Sequence, residues 1–263
     1  STKNASIGHW NSTSIEVIVI IFMILASINF KLYYLLFVGK FKKALSNEEL
    51  RYFLLILFSF TLIITASLTD FSNPSWEAFK ESFRNSLFTV SSIMSTTGFY
   101  SEDYSSWAPV ATILLLVLML IGGSAGSTAG GIKVIRVILV FKYCYYEFKR
   151  MIHPNAIFPV KYDGKIVKEE IITRVLAYVL LYCIISVVGA LILTLSGLGF
   201  EESISSMISC LGDVGPGLGK LGPIETYSNI PTFSKWFLSF AMLIGRLDLF
   251  TALIIFTPVF WRK

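Results

Sequence analysis

Charge is scarce in this sequence: Asp, Glu, Lys and Arg make up 15% of its 263 residues, and 54% are hydrophobic. Soluble domains carry about 25% charged residues, so the deficit excludes an ordinary soluble fold. Ligands for metals are scarcer still. Cys144, Cys183 and Cys210 form no CxxC or Cys/His spacing, and His9 and His153 stand far apart, so no zinc site is expected. The chain opens without Met or a signal peptide, and its first residues read as the tail of an earlier unit. The expectation is an N-terminally incomplete piece.

What remains is apolar and periodic. Five stretches, 14–37, 52–68, 108–122, 171–195 and 237–260, approach the roughly 20 residues that cross a bilayer, the third only if it continues into the glycines after it. Trp10, Trp107 and Trp236 precede three of them, as interfacial anchors do. The bases cluster at Lys40, Lys42, Lys43 and Arg51, then from Lys133 to Arg174, and again at Arg262 and Lys263. These segments are assigned to the cytoplasm. The other loops hold Asp70, Glu77, Glu81, Glu102, Asp103, Glu201, Glu202 and Glu225. The net positive charge therefore follows topology, and nucleic acid is not an expected partner.

Two outer segments, 71–107 and 197–236, are too long for plain connectors. Each holds a short amphipathic stretch, 76–94 or 200–210, and then a small, polar, glycine-bearing run. The runs are Ser95-Thr96-Thr97-Gly98-Phe99 and Gly212-Asp213-Val214-Gly215-Pro216-Gly217. The order of spanning helix, short helix, glycine run, Trp and spanning helix recurs from Tyr52 and from Ile171. Matching pentapeptides, Met23 to Ser27, Met119 to Gly123 and Met242 to Arg246, fall in the last apolar stretch of each copy, the third closer to its Trp than the other two. The fold class read from this is all-α and integral to the membrane, with five spanning helices, two re-entrant pore helices and parallel repeats of helix, pore loop and helix.

Non-helical backbone cannot face lipid, but it can line a watery path, where rings of carbonyls replace the hydration shell of a potassium ion. The two glycine runs are candidates for such loops; the alternative is two outer turns. Below them, Gly122-Gly123-Ser124-Ala125-Gly126-Ser127-Thr128-Ala129-Gly130-Gly131 should break the third span, because glycine disfavours helix by about 1 kcal/mol. This run is a candidate gate, or else a close helix crossing. It does not fit the phosphate-binding GxxxxGK[ST] spacing. Gly122 to Gly126 does match G-x-S-x-G around Ser124, but neither histidine is placed to activate it, so an enzyme is not expected. Arg246 and Asp248 fall inside the last span, where ionisable groups are rare. Read as one helix, they point to different faces, with Arg246 toward the path or paired with another helix. Asp213 is the only acid in a candidate loop, placed at the outer mouth or bonded to backbone.

These residues, with Ile132-Lys133, Leu218-Gly219, Gly245-Arg246 and the ending from Phe256 to Lys263, resemble the Trk/Ktr/HKT superfamily of potassium transporters, the TrkH/TrkG branch above all. The resemblance covers essentially the whole chain. It implies four helix–pore loop–helix repeats around one pore, with 1–37 ending the second, 38–150 the third and 151–263 the fourth. It implies a filter of Ser95 to Phe99 and Gly212 to Pro216, with potassium at Thr96, Thr97, Gly98, Asp213, Val214 and Gly215. Residues 122–131 become the gating loop, with Arg246 and Lys133 as cations beneath the filter. It implies potassium as substrate and no cofactor bound by this chain. It also implies a homodimer in the bacterial inner membrane, docked on a cytosolic nucleotide-binding ring of the TrkA type. Asp213 departs from the Asn of similar filters, which bears on potassium over sodium selectivity. The competing reading is a secondary transporter of another small solute built on broken helices.

Overall fold

A computed structural model describes residues 3, 5–69, 75–156 and 158–261. Asp70, Arg262 and Lys263, assigned above to loop ends, lie outside the described residues. The chain is mostly helical. The helices are α1 (Thr13–Ser27), α2 (Phe30–Phe37), α3 (Phe41–Leu45), α4 (Glu48–Leu68), α5 (Trp76–Met94), α6 (Pro109–Ile121), α7 (Val134–Ile152), α8 (Glu169–Leu195), α9 (Phe200–Leu211), α10 (Thr232–Arg246), α11 (Leu249–Ile254) and α12 (Pro258–Trp261). A two-stranded antiparallel hairpin, β1 (Lys161–Tyr162) and β2 (Lys165–Ile166), joins α7 to α8. Its turn is Asp163-Gly164, both with positive φ (47° and 74°), the conformation that tight hairpin turns favour.

The helices form two similar groups. α5 packs between α4, α6 and α1, while α9 packs between α8 and α10. The first group closes around Phe53, Leu57, Ile64, Met94, Leu115 and Leu118, all fully buried, and the second around Tyr182, Leu193, Met207 and Leu211. α6 touches α9, and α7 touches both α4 and α8, so the groups share a boundary.

Two helices are long and apolar enough to cross a membrane unbroken: α4, with 21 residues, and α8, with 27. α8 turns Leu180, Val187, Leu191 and Leu195 outward, each at least 60% exposed. An apolar outer face on a helix of that length belongs in lipid. Two of the five stretches predicted as single spans, the first and the fifth, are broken within their length, while the third ends at the glycine run as expected. α1 and α2 meet at 95°. There the Ser27 hydroxyl donates back to the Met23 carbonyl (2.8 Å), Ile28 is extended, and the Asn29 side chain caps α2 through Lys31 N (2.9 Å). Short polar side chains that bond their own backbone compete with helix, and Ser27 and Asn29 do so here. The third stretch, α6, ends at Ile121, where the glycine run begins. The fifth breaks after Arg246, where Asp248 takes φ 69°. Arg246 and Asp248 thus flank a break and do not share one helix.

Candidate functional site

α5 and α9 end in the same way. Thr97 N donates to Ser92 O (2.9 Å) and Thr96 N to Ile93 O (3.0 Å); Val214 N donates to Ser209 O (2.9 Å) and Asp213 N to Cys210 O (3.2 Å). This is the paired closure of a helix by one left-handed residue. That residue is Thr96 (φ 51°) in one group and Asp213 (φ 60°) in the other. Neither is glycine, so each position costs about 1–2 kcal/mol. A serine in the last turn then reaches over the loop: Ser92 Oγ donates to Phe99 O, and Ser209 Oγ donates to Pro216 O, each at 2.6 Å. Among the described residues, no donor bonds the carbonyls of Thr96, Thr97, Gly98, Asp213 or Val214.

The two loops touch. A Cβ on Gly98 would lie 2.3 Å from Val214 O, and Gly98 has φ 72°, so only glycine fits. Ser95 Oγ and Thr97 Oγ1 share a hydrogen bond of 2.7 Å, and Thr97 is exposed. Gly215 is braced from the second group by the Tyr227 hydroxyl, which donates to its carbonyl at 3.0 Å.

The run after α6 folds into a loop that closes on its own stem. Ile132 N donates to Leu120 O (3.0 Å), Lys133 N to Ile121 O (2.9 Å) and Val134 N to Gly123 O (3.0 Å). Its upper side presses on both glycine runs. Gly130 N donates to Thr96 Oγ1 at 2.9 Å, and a Cβ on Gly130 would lie 2.2 Å from Gly212 O. Its other side fills the break between α1 and α2. Ser124 N donates to Ser27 O (3.0 Å), Thr128 N to Ala26 O (3.3 Å), and Phe30 N to Gly126 O (3.1 Å). Gly122, Gly123, Ala125 and Gly131 complete the run. Ser124 is buried (1% exposed), with Ser27 and Ser127 as its bonding partners.

Charges ring the loop's remaining side. A cavity of about 480 Å³ is lined by 125–131 together with Lys133, Arg136, Tyr178, Asp213, Arg246 and Asp248. Arg246 Nη1 donates to Thr128 O at 2.9 Å, and Lys133 Nζ donates to Ala129 O. Arg246 has no ion pair among the described residues; Asp248 takes Arg136 instead, at 3.0 Å, with the Arg136 guanidinium 3.6 Å above the Tyr178 ring. Asp213 lines this cavity and lies beside Gly130 of the 122–131 loop. The left-handed turn after α9 brings its Cβ beside Gly130, where the residue is partly buried.

The family model named TrkH, cation transport protein, matches residues 1–263. The chain belongs to the TrkH family. TrkH-family relatives agree along its whole length. The Trk system potassium uptake protein TrkH of Escherichia coli (strain K12) is 33% identical over 264 residues, covering 100% of this chain and 54% of that protein. TrkH of Halomonas elongata is 36% identical over 268 residues, again 100% of this chain and 54% of the relative. TrkG of E. coli K12 is 32% identical over 264 residues, 100% of this chain and 53% of the relative. The crystal structure of the potassium transporter TrkH from Vibrio parahaemolyticus superposes with a TM-score of 0.90 at 33% identity, covering 100% of this chain and 56% of that one. The chain therefore spans about half the length of the curated relatives it matches, and those relatives are membrane transport proteins, not enzymes.

Several groups that shape this TrkH-family site escaped the sequence reading. Ser92 and Ser209 each precede a loop glycine, Gly98 or Gly215, by the same interval, and that shared spacing is the signal that would have found them. Arg136 as the partner of Asp248, Tyr227 over Gly215, and Asn29 at the first break had no comparable mark. Their roles depend on contacts between segments far apart in the chain.

Proposed function

We propose that this chain supplies two of the four filter loops, and the gate, of a pore that carries potassium across the bacterial inner membrane. Loops 95–99 and 212–216 are the filter, 122–131 is the gating loop, and Arg246 and Lys133 are the cations beneath it. The observation that carries this is the set of unclaimed carbonyls at Thr96, Thr97, Gly98, Asp213 and Val214, on two loops in contact at the ends of two buried helices. Oxygen-only surroundings of that kind suit a dehydrated monovalent cation. The C-terminal ends of α5 and α9 point at the same place, and each adds partial negative charge. Relatives bearing the names potassium uptake protein and potassium transporter support the choice of ion.

Repeats of helix, pore loop and helix then account for the likeness of the two groups. The segments 1–37, 38–150 and 151–263 are the end of one repeat and two whole ones. The homodimer and a cytosolic TrkA-type ring belong to the same reading. Uptake of rubidium in a potassium-uptake-deficient strain tests it, using the complete protein and its Gly215→Ser variant. The expected result is uptake by the wild type, with uptake or selectivity over sodium changed in the variant. A variant indistinguishable from wild type in both overturns it.

A further inference from the structure

The gating loop is held on its cytoplasmic side by one buried carboxylate. Glu49, in the first turn of α4, is 2% exposed, and its Oε1 accepts the Ala125 N–H at 2.6 Å. Its donor is thus a backbone N–H of the gating loop itself. A carboxylate is buried at large cost unless donors surround it, and the N-terminus of α4 adds a favourable dipole. A bond from an N–H to a charged oxygen is among the stronger kinds, so the loop's position is coupled to this one group.

The end of α4 that carries Glu49 is itself clamped. Asp163, in the hairpin turn, accepts Glu48 N and Asn47 Nδ2, each at 2.8 Å. The Glu48 carboxylate takes Asp163 N at 2.9 Å and Lys142 Nζ at 2.7 Å, and Lys142 also donates to Lys161 O at 2.8 Å. The hairpin, α4 and α7 therefore move together or not at all.

We propose that Glu49 is the latch of the gating loop, a positioning residue that holds 122–131 against the filter loops and is braced by the hairpin of β1 and β2. The proposal rests on the pore reading above. The test uses the complete protein with Glu49→Ala and Glu49→Gln. Amide hydrogen exchange is followed in purified protein, and rubidium flux and the rubidium-to-sodium ratio in proteoliposomes. Glu49→Ala should speed exchange within 122–131 by roughly tenfold or more, leave α5 and α9 protected, raise flux and keep the ion ratio. Glu49→Gln, which keeps an acceptor oxygen, should fall between and covers the case in which the alanine variant does not fold. Unchanged exchange in the loop overturns the latch. So does faster exchange throughout the chain with lower flux, the mark of a merely structural role, and so does a loosened loop without higher flux. If wild-type protein passes no rubidium, the pore reading falls. The exchange arm still decides Glu49, with acceleration confined to the loop supporting the latch and none overturning it.

Discussion

Adding one methyl group at Gly98 and at Gly215 separates steric from conformational demands. At Gly98, φ is 72° and a new Cβ would meet the Val214 carbonyl oxygen at 2.3 Å. The left-handed backbone costs an L-residue about 1–2 kcal/mol. The overlap is with backbone of the other loop, which cannot rotate away, and forcing a methyl into packed surroundings adds about 1–3 kcal/mol. Gly98→Ala should therefore cost about 2–5 kcal/mol and push the two loops apart. At Gly215, φ is 107° but a Cβ would meet nothing within 4 Å. Only strain remains there, about 1–3 kcal/mol. The assay is thermal unfolding of the purified complete protein with and without potassium. A ligand that binds only the folded state raises the melting temperature. Gly98→Ala should melt earlier and lose the potassium-dependent rise; Gly215→Ala should melt nearer to wild type and keep part of it. If both variants lose the same stability, or if Gly98→Ala keeps the full potassium effect, the contact between the loops is not what positions the filter oxygens.

Other expectations follow from single contacts. Ser92→Ala and Ser209→Ala each remove one bond to a loop carbonyl and should cost about 1 kcal/mol, with selectivity falling more than flux in paired rubidium and sodium uptake. Arg246→Gln removes the cation bonded to Thr128 O and should raise rubidium flux on the order of tenfold, a barrier change of about 1.4 kcal/mol. Asp248→Asn should lower stability by only about 1 kcal/mol in a thermal melt, because the Arg136 and Asp248 side chains are 23% and 48% exposed and water screens the pair. Asp163→Ala frees Asn47 and Glu48 at once and should speed amide exchange at the start of α4 and in loop 122–131 together.

Much of this arrangement is legible in residue order. Apolar runs mark α4 and α8, and five glycines in ten residues mark the end of α6, because both effects act over a few neighbouring positions. The breaks at Ile28 and Leu247 were not legible. The flanking sequences, Ala26-Ser27-Ile28-Asn29 and Gly245-Arg246-Leu247-Asp248, are compatible with helix by propensity. What holds those breaks open, beside the local bonds of Ser27 and Asn29, is the loop from α6, whose N–H groups take the Ala26 and Ser27 carbonyls and whose Thr128 carbonyl takes Arg246. Asp213 shows the same limit: its place in the sequence leaves an outer mouth and a backbone bond both open, and only the fold brings it beside Gly130.

The three matching pentapeptides each mark a helix end, and the loop from α6 supplies bonding partners to two of them. Each lies where its helix ends: α1 at Ser27, α6 at Ile121 and α10 at Arg246. A helix end leaves carbonyls without partners, and in a bilayer no lipid can bond them. The loop 122–131 has N–H groups released from helix, and it spends them on the carbonyls that α1 has released. Thr128 is the junction, since its N–H and hydroxyl go to Ala26 O while its own carbonyl accepts Arg246. The loop therefore cannot leave its place by simple loosening. Every step away orphans Ala26 O, Ser27 O and the Glu49 carboxylate together unless water follows it in. Opening of such a loop therefore requires water to take over these bonds as the loop leaves.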